Sequence, residues 1–385
     1  MRFKTVFSFV NLAAALFLVM GTFGCKKEAK GPTIALGLPL TGDIASLGQG
    51  LKRASILAIE EFNQANGTNV KVVAYDDRSD PKEAVSIANR IVSDPSVIGV
   101  IGHFNSGCSI PASRIYAQAK LPMISPASSN PDLTNQQLSP QWTWPKNIFR
   151  MNTTDNVQGG YGADFVIKGL KIKNVAIIHD KTAYGQGVAE EFRKKIIANG
   201  GQVTSFEGLQ TGDRDFRSLL TRIKATNPDA LYFGGMFSEG GILVRQTRDI
   251  GFRGPFVTCE ANYDPAFIRV AGPAAEGAYV TFLGSPPELL PSAKEFIERY
   301  KQRYPNDELK SYDAYGYEVA GVLLDALKNV GPDRTKIIDF LRTVKYTGVL
   351  GTTQFDQKGD TLNRTITLFQ VKNGAFEPTP WTPAK

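Results

Sequence analysis

Small polar residues follow two apolar segments in the first half of the sequence, at the points where those segments end. After the apolar run 97–102 come residues 103–109 (HFNSGCS), and a helix is predicted to begin near Pro111. Hydroxyls and free backbone N–H groups at a helix start suit a carboxylate, because the first donors of a helix lack partners and its dipole favours negative charge. Capping of the helix by Ser106 or Ser109 explains the same residues, so both interpretations stay open.

Further polar residues follow other apolar segments. Residues 125–131 (SPASSNP) form a proline-bracketed loop whose hydroxyls and carbonyls suit either a plain turn or a ligand. In the second half of the chain, Tyr184 follows one apolar segment, Met236 another and Glu260 a third. A carboxylate facing a cleft can neutralise an ammonium group, and tyrosine offers an apolar wall with a polar tip. Glu260 fits a solvated loop equally well.

The sequence contains little that indicates catalysis or metal binding. The chain has two histidines, His103 and His179, and three cysteines, whereas zinc needs three or four ligands placed together. Neither serine segment matches the G-x-S-x-G elbow, and the Walker A and G-x-G-x-x-G patterns are absent from the sequence. We therefore expect no enzyme activity, no metal and no cofactor. A secreted hydrolase that uses Ser106 with His103 is the alternative from a different class.

Alternating strands and helices position these residues. In the first half, strands are predicted at 33–40, 70–77, 97–102 and 122–128, with helices at 51–62 and 81–93. After a loop with two tryptophans, strands are predicted at 174–180, 202–209, 230–235, 255–260 and 277–282. This repetition indicates an α/β protein with two doubly wound parallel-sheet lobes and a cleft between them.

The last hundred residues break the pattern. Helices are predicted at 292–303, 315–329 and 334–344, followed by short strands near 354 and at 365–371. These strands are too few for a third sheet, so we expect the chain to cross back and cover the first lobe, with the crossings forming a hinge. We assign residues 33–151 and 284–364 to lobe 1, and residues 152–283 and 365–385 to lobe 2.

The N-terminus has the features of an export signal. Two basic residues, Arg2 and Lys4, precede an apolar run at 6–20 that is short for a membrane span, and Gly24 and Cys25 follow it. A cysteine directly after a small residue resembles the lipobox of bacterial lipoproteins, in which that cysteine is lipidated. We therefore expect residues 1–25 to contain a lipoprotein signal peptide and Cys25 to carry the anchor. An ordinary signal peptide and an uncleaved membrane anchor are the alternatives.

Composition is that of an ordinary globular protein. Without the leader 360 residues remain, which suits two domains better than one core. The formal charge of the whole chain is +7 at pH 7, with acids and bases interspersed, and no basic run with interleaved aromatics predicts nucleic-acid binding. Cys108 and Cys259 could pair in an oxidising compartment, although we expect buried free thiols.

Several segments together resemble one known family. They include residues 100–103 (VIGH), 124–128 (ISPAS), 178–181 (IHDK) and 227–229 (NPD). From about residue 33 to residue 371 the chain resembles the extracytoplasmic leucine/isoleucine/valine-binding proteins of ABC importers, which are type I periplasmic binding proteins. The resemblance implies a Venus-flytrap fold with a multi-crossing hinge and an α-amino acid ligand, branched-chain or otherwise aliphatic.

The resemblance also implies roles for individual residues. Ser106 and the backbone of Ser129 would hold the ligand carboxylate, while the Ala127 carbonyl, the Ser129 hydroxyl and Glu260 would hold its ammonium. The side-chain pocket that it implies consists of Leu47, Phe104, Tyr184, Met236 and Tyr312. Leu47 and Met236 replace aromatic residues of the branched-chain binders, so the pocket could also take a larger or partly polar side chain.

The resulting expectation is a monomeric, lipid-anchored receptor in the periplasm or at the cell surface. It would close on an amino acid and deliver it to the membrane subunits of an ABC permease. A sensor or binder of the same fold that takes an amide, a urea or an aromatic acid is the alternative.

Overall fold

The first sheet forms mainly from apolar segments that are buried on both faces, with a partly buried strand at one edge. In the computed structural model, which describes residues 31–383, its strands are β1 (Thr33–Leu38), β2 (Lys71–Asp76), β3 (Val97–Gly102), β4 (Met123–Ser125) and β5 (Ile148–Arg150). The order is β2-β1-β3-β4-β5 and every pairing is parallel. Every residue of β1 and β3 is buried, as expected for parallel strands covered by helices on both sides.

A second sheet follows in the middle of the chain. Its strands are β6 (Asn174–His179), β7 (Gln202–Gly208), β8 (Ala230–Gly234), β9 (Phe256–Thr258) and β10 (Tyr279–Leu283), joined by β13 (Ile366–Lys372) and β14 (Ala375–Pro378). The order is β14-β13-β10-β9-β8-β6-β7. β6 to β10 pair in parallel, whereas β13 is antiparallel to β10 and β14 is antiparallel to β13. Asn373 and Gly374 have positive φ and make the tight hairpin turn.

Twelve α-helices are described between residues 31 and 383. They are α1 (Ala45–Asn66), α2 (Pro81–Val92), α3 (Ser106–Gln118), α4 (Asp132–Asn135), α5 (Asp155–Asp164), α6 (Ala183–Ala198), α7 (Arg217–Lys224), α8 (Phe237–Asp249), α9 (Pro265–Ala271), α10 (Lys294–Arg303), α11 (Asp313–Val330) and α12 (Arg334–Leu341). α11 packs along α1 and also contacts β3, and α12 packs on α11. The C-terminal helices therefore lie on the first sheet.

The chain passes between the two sheets three times. It leaves the first sheet after β5, returns after β10 to form α10 to α12, and crosses again before β13. A small hairpin of β11 (Tyr346–Gly348) and β12 (Gly351–Thr353) precedes the last crossing. The two α/β lobes predicted from the sequence are confirmed, while the residue boundaries assigned to them stay a prediction.

Some predicted elements differ from the structure. α3 begins at Ser106 and contains Pro111, whereas the sequence predicted a start near the proline. The extended Asn105 precedes it, and the backbone N–H groups of Cys108 and Ser109 already donate to the Asn105 carbonyl at 3.0 and 2.9 Å. β4 ends at Ser125, directly before a proline that has no N–H to donate to a ladder.

Other sequence expectations concern the thiols and the membrane. Cys108 and Cys259 are buried and free, as predicted. Within residues 31–383, no helix combines the length and apolar character required to cross a membrane. The predicted leader and Cys25 lie outside the described residues.

Candidate ligand-binding site

Strands of both lobes end around one small cavity. Its volume is about 230 Å³, and its lining residues are Phe104, Asn105, Ser106, Ala127, Tyr184, Met236, Glu260, Ala261 and Tyr312. These residues follow β3, β4, β6, β8 and β9 or precede α11. Ligands of open α/β sheets bind outside the carboxyl ends of the strands, which is where this cavity lies.

The structure brings together most of the residues that the sequence singled out. Two of them, Leu47 and Ser129, do not line the cavity. Leu47 is 2% exposed and packs in the hydrophobic core, and Ser129 is completely buried. Sequence reasoning missed Asn105 and Ala261 as lining residues, although each lies next to a predicted one.

Ser106 provides the part of the cavity suited to an anion. It is the first residue of α3, so the positive end of the helix dipole lies beside it. Its side chain is buried, and its Oγ accepts a hydrogen bond from the Asn130 backbone N–H at 3.2 Å. That bond joins the two loops that follow β3 and β4.

Glu260 provides the part suited to a cation. It is 3% exposed, lies in the short 3₁₀ turn after β9, and its Oε2 accepts a hydrogen bond of 2.7 Å from the Tyr184 hydroxyl. Burial raises the pKa of Glu260 to about 7, against the opposing effect of hydrogen bonds from Tyr184, Gln158 and Tyr312. Glu260 makes no salt bridge with any residue that the structure describes. A buried carboxylate of this kind gains most from a cation that enters the cavity.

Two groups from the loop after β4 lie on the same side. The Ala127 carbonyl accepts a hydrogen bond of 2.6 Å from the Asn152 side-chain amide, and a carbonyl oxygen has a second lone pair for another donor. The Ser129 hydroxyl is buried and has no hydrogen-bond partner among the described residues. The Ala127 oxygen can therefore accept from a ligand in the cavity, and the Ser129 hydroxyl is an unsatisfied group in the same loop.

Aromatic side chains form the remaining wall. The rings of Phe104 and Tyr312 meet edge to face with their centroids 5.3 Å apart, and the flexible Met236 completes the surface. This wall suits an apolar ligand side chain. Because Phe104 and Tyr312 come from the first lobe and its covering helices while Met236 comes from the second, an apolar group here would contact both lobes.

Direct contacts join the two lobes beside the cavity. The Asn130 side chain donates to the Ala183 carbonyl at 2.6 Å, and Arg214 pairs with Asp43 at 3.1 Å. These contacts hold the two lobes together on this side of the molecule.

A buried arginine holds the loop after β4 in place. Arg150 pairs with Asp360 at 2.6 Å, and its Nη1 donates to the carbonyls of Ser128 at 3.2 Å and Asn130 at 2.9 Å. Its Nη2 donates to the Thr134 hydroxyl at 2.6 Å. Arg150 therefore fixes the backbone on both sides of Ser129.

His103 is engaged elsewhere and does not serve Ser106. Its Nδ1 lies 2.7 Å from Asp77 Oδ2, and its Nε2 lies 3.0 Å from the Tyr116 hydroxyl. Both ring nitrogens are thus committed, so the imidazole is not placed as a general base for the Ser106 hydroxyl. The His103 carbonyl instead accepts hydrogen bonds from Ser109 and Ser125, which links the two loops.

A cavity lined by two α/β lobes, with Ser106 at a helix N-terminus in one and the buried carboxylate of Glu260 in the other, is typical of a two-lobe ligand-binding protein. Residues 32–375 match the family model described as periplasmic binding protein, and the chain belongs to that family. It is 34% identical to Leu/Ile/Val-binding protein homolog 1 of Brucella suis over 97% of each chain. The members of this family are substrate-binding proteins.

Solved structures agree with this assignment. A leucine-binding protein from Thermotoga maritima is 32% identical, with a TM-score of 0.82, and the match covers 90% of this chain and 97% of that protein. A branched-chain amino acid transporter substrate-binding protein from Streptococcus pneumoniae, solved with isoleucine, is 27% identical with a TM-score of 0.80 over 90% of this chain and 98% of that one. The type I periplasmic binding protein fold predicted from the sequence is therefore confirmed.

Proposed function

We propose that this protein is an extracytoplasmic lipoprotein that captures an α-amino acid with an aliphatic, branched side chain and delivers it to an ABC importer. The observation that carries the proposal is the placement of Glu260, a buried carboxylate without a cationic partner among residues 31–383, in the same small cavity as Ser106. Ser106 at the start of α3 receives the ligand carboxylate and Glu260 receives the ammonium. The ligand names of the relatives support the same class.

The aromatic wall sets the expected side chain. Phe104, Tyr312 and Met236 offer apolar surface and no charged group, so burial of a leucine, isoleucine or valine side chain is favoured by about 1.5–3 kcal/mol. A charged side chain would lose its hydration there without gaining a partner.

A thermal-shift panel tests the proposal. The chain from Lys26 onward is unfolded and refolded to remove carried-over ligand, then heated with each common L-amino acid and with simple amides, ureas and aromatic acids. A ligand present at a hundred times its Kd adds about 2.7 kcal/mol of stability. We expect the largest shifts with leucine, isoleucine and valine. Shifts confined to amides, ureas or aromatic acids would contradict an amino-acid ligand. They would indicate that the protein carries a different ligand or acts as a sensor.

The pH dependence of binding follows from the raised pKa of Glu260. Because that pKa is about 7 in the empty site, Glu260 takes up a proton as the pH falls below 7, and a neutral carboxyl no longer attracts an ammonium. We expect leucine affinity, measured by calorimetry from pH 8 to pH 5, to fall with acid. The deaminated analogue 4-methylpentanoate serves as the control, because a neutral Glu260 repels its carboxylate less and its affinity should not fall. Leucine affinity that is independent of pH would contradict the assigned role.

The lipid anchor is a separate proposal that rests on the sequence. Gly24 and Cys25 follow an apolar run of export-signal length, and acylation at Cys25 would hold the protein on a membrane, at about 0.8 kcal/mol per buried CH₂. We expect mass spectrometry of the protein from a bacterial membrane fraction to show an N-terminus at Cys25 with acyl chains. A cleaved chain with an unmodified Cys25 would refute the anchor and leave the binding function intact.

A further inference from the structure

Two buried polar groups without partners lie together beside the ligand cavity. Asp155, the first residue of α5, and Ser129 are both 0% exposed. Within the described part of the chain, neither carboxylate oxygen of Asp155 has a hydrogen-bond partner, and neither does the Ser129 hydroxyl. The Asp155 backbone N–H donates to the Ser129 carbonyl at 2.9 Å, which fixes the two residues against each other. Buried polar atoms are rarely left unsatisfied, so this pair needs an explanation.

The charged groups around Asp155 do not explain why its carboxylate is buried without a partner. Arg150 favours its ionised form but is committed to Asp360, while Glu260 and Glu191 disfavour it. Tyr232 and Tyr312 are close enough for Asp155 to affect them. Burial raises the pKa of Asp155 well above its ordinary range, and the nearby Ser129 hydroxyl opposes this shift. A carboxyl kept in this environment destabilises the empty protein when it is charged.

A bound ammonium would satisfy the hydrogen-bonding capacity of both Asp155 and Ser129. An ammonium only donates hydrogen bonds, so a hydroxyl that binds it must accept with its oxygen and direct its own hydrogen elsewhere. Asp155 is the acceptor next to Ser129. With that hydrogen directed to Asp155, the Ser129 oxygen presents its lone pairs to the ligand, and the added negative charge favours a cation.

We propose that Asp155 is a positioning residue for the ligand ammonium: it accepts the hydrogen bond of the Ser129 hydroxyl and so makes the site selective for α-amino acids. This inference rests on the proposed function and adds a second carboxylate to it. Ser129 belongs to the loop whose Ala127 lines the cavity, whereas Asp155 does not line the cavity, so Asp155 acts through the Ser129 hydroxyl and not by direct contact.

A purely structural role predicts a different outcome on substitution. An acidic residue in the first turn of a helix stabilises that helix through the dipole, so Asp155→Asn would then lower the thermal stability of the empty protein. The positioning role predicts that the empty Asp155→Asn protein melts at the same temperature as the wild type or higher, because an unpartnered buried carboxyl is removed. It also predicts that the Kd for leucine rises at least about tenfold, as expected when a hydrogen bond to a charged group is lost.

The test is a double-mutant cycle with L-leucine as the probe, measured by calorimetry on refolded full-length mature chain. Asp155→Asn, Ser129→Ala and the double variant are compared, and we expect the double variant to bind leucine no more than about threefold more weakly than the weaker single variant, since both changes remove one shared interaction. Asp313→Asn is the matched control. Asp313 is also buried, begins α11 and has one oxygen without a partner, but it does not line the cavity.

Each outcome decides the proposal. Unchanged leucine affinity in Asp155→Asn, full additivity with Ser129→Ala, or a variant that melts lower or does not fold would overturn it. The Asp313→Asn protein should bind leucine like the wild type. If the wild type itself binds no amino acid, the proposed function fails and this inference with it. If the wild type binds leucine and only the Asp155 effects are missing, the proposed function stands and the inference fails alone.

Discussion

Replacing Glu260 by glutamine should weaken leucine binding by at least about a hundredfold. The variant keeps the shape of the side chain but removes the negative charge, so the ligand ammonium would be buried in the cavity without its counter-charge. Breaking a buried ion pair costs about 3–5 kcal/mol, and the lower value corresponds to about two decades in Kd. Titration calorimetry of the refolded Glu260→Gln protein with L-leucine measures this loss directly.

Glu318→Gln is the matched control for this experiment. Glu318 is also a completely buried glutamate whose pKa is raised to about 7 by burial, but its oxygens accept hydrogen bonds from Thr353 and the Leu350 backbone N–H, away from the cavity. Its substitution should leave leucine affinity unchanged. Equal losses of leucine affinity in both variants would mean that a buried glutamate acts through the stability of the fold. Near-normal leucine affinity in Glu260→Gln would show that Glu260 does not bind the ligand.

The largest effect on stability is expected for Arg150→Met. Methionine has a similar unbranched length, but it removes the buried guanidinium from Asp360, which then keeps only Lys358 at 2.8 Å as a cationic partner. It also leaves the Ser128 and Asn130 carbonyls without their guanidinium donor. We expect a loss of about 3–5 kcal/mol in the free energy of unfolding, measured by denaturant titration. Since Arg150 also fixes the backbone around Ser129, leucine binding should weaken under conditions in which the variant is still folded.

Arg303→Met separates this effect from a general loss of positive charge. Arg303 pairs with Glu60 at 3.1 Å on the surface, where both side chains are about half exposed and solvent screens the pair, so its loss should change stability little. An Arg150→Met protein as stable as Arg303→Met would refute the role of the buried pair.

The sequence predicted the strand ends of this fold well because their signals are local. Apolar runs of strand length stop abruptly at polar, small residues, and Ser106 and Glu260 stand at two of those points. The repetition of strand and helix was enough to predict two lobes. Spacing along the chain does not determine which strand ends meet in one cavity. That part of the prediction came from the family resemblance.

Other parts had no local signal. α5 contains Gly159, Gly160 and Gly162, which disfavour a helix. Close packing nevertheless requires glycine at 159, because a Cβ there would lie 2.6 Å from the Phe192 backbone nitrogen. Tertiary packing against α6 therefore overrides helix propensity, and Asp155 at the start of this helix went unnoticed. The Arg150–Asp360 pair joins residues 210 positions apart, a separation that no sequence pattern bridges.

The measurement that tests the central claim most directly is a calorimetric titration of the refolded wild-type protein with L-leucine and with 4-methylpentanoate, which differ only in the amino group. If Glu260 holds the ligand ammonium in the interlobe cavity, leucine binds at least about a hundredfold more tightly than the deaminated acid at pH 8, where Glu260 is ionised. Equal affinities, or tighter binding of the acid, would contradict an amino-acid site built around Glu260.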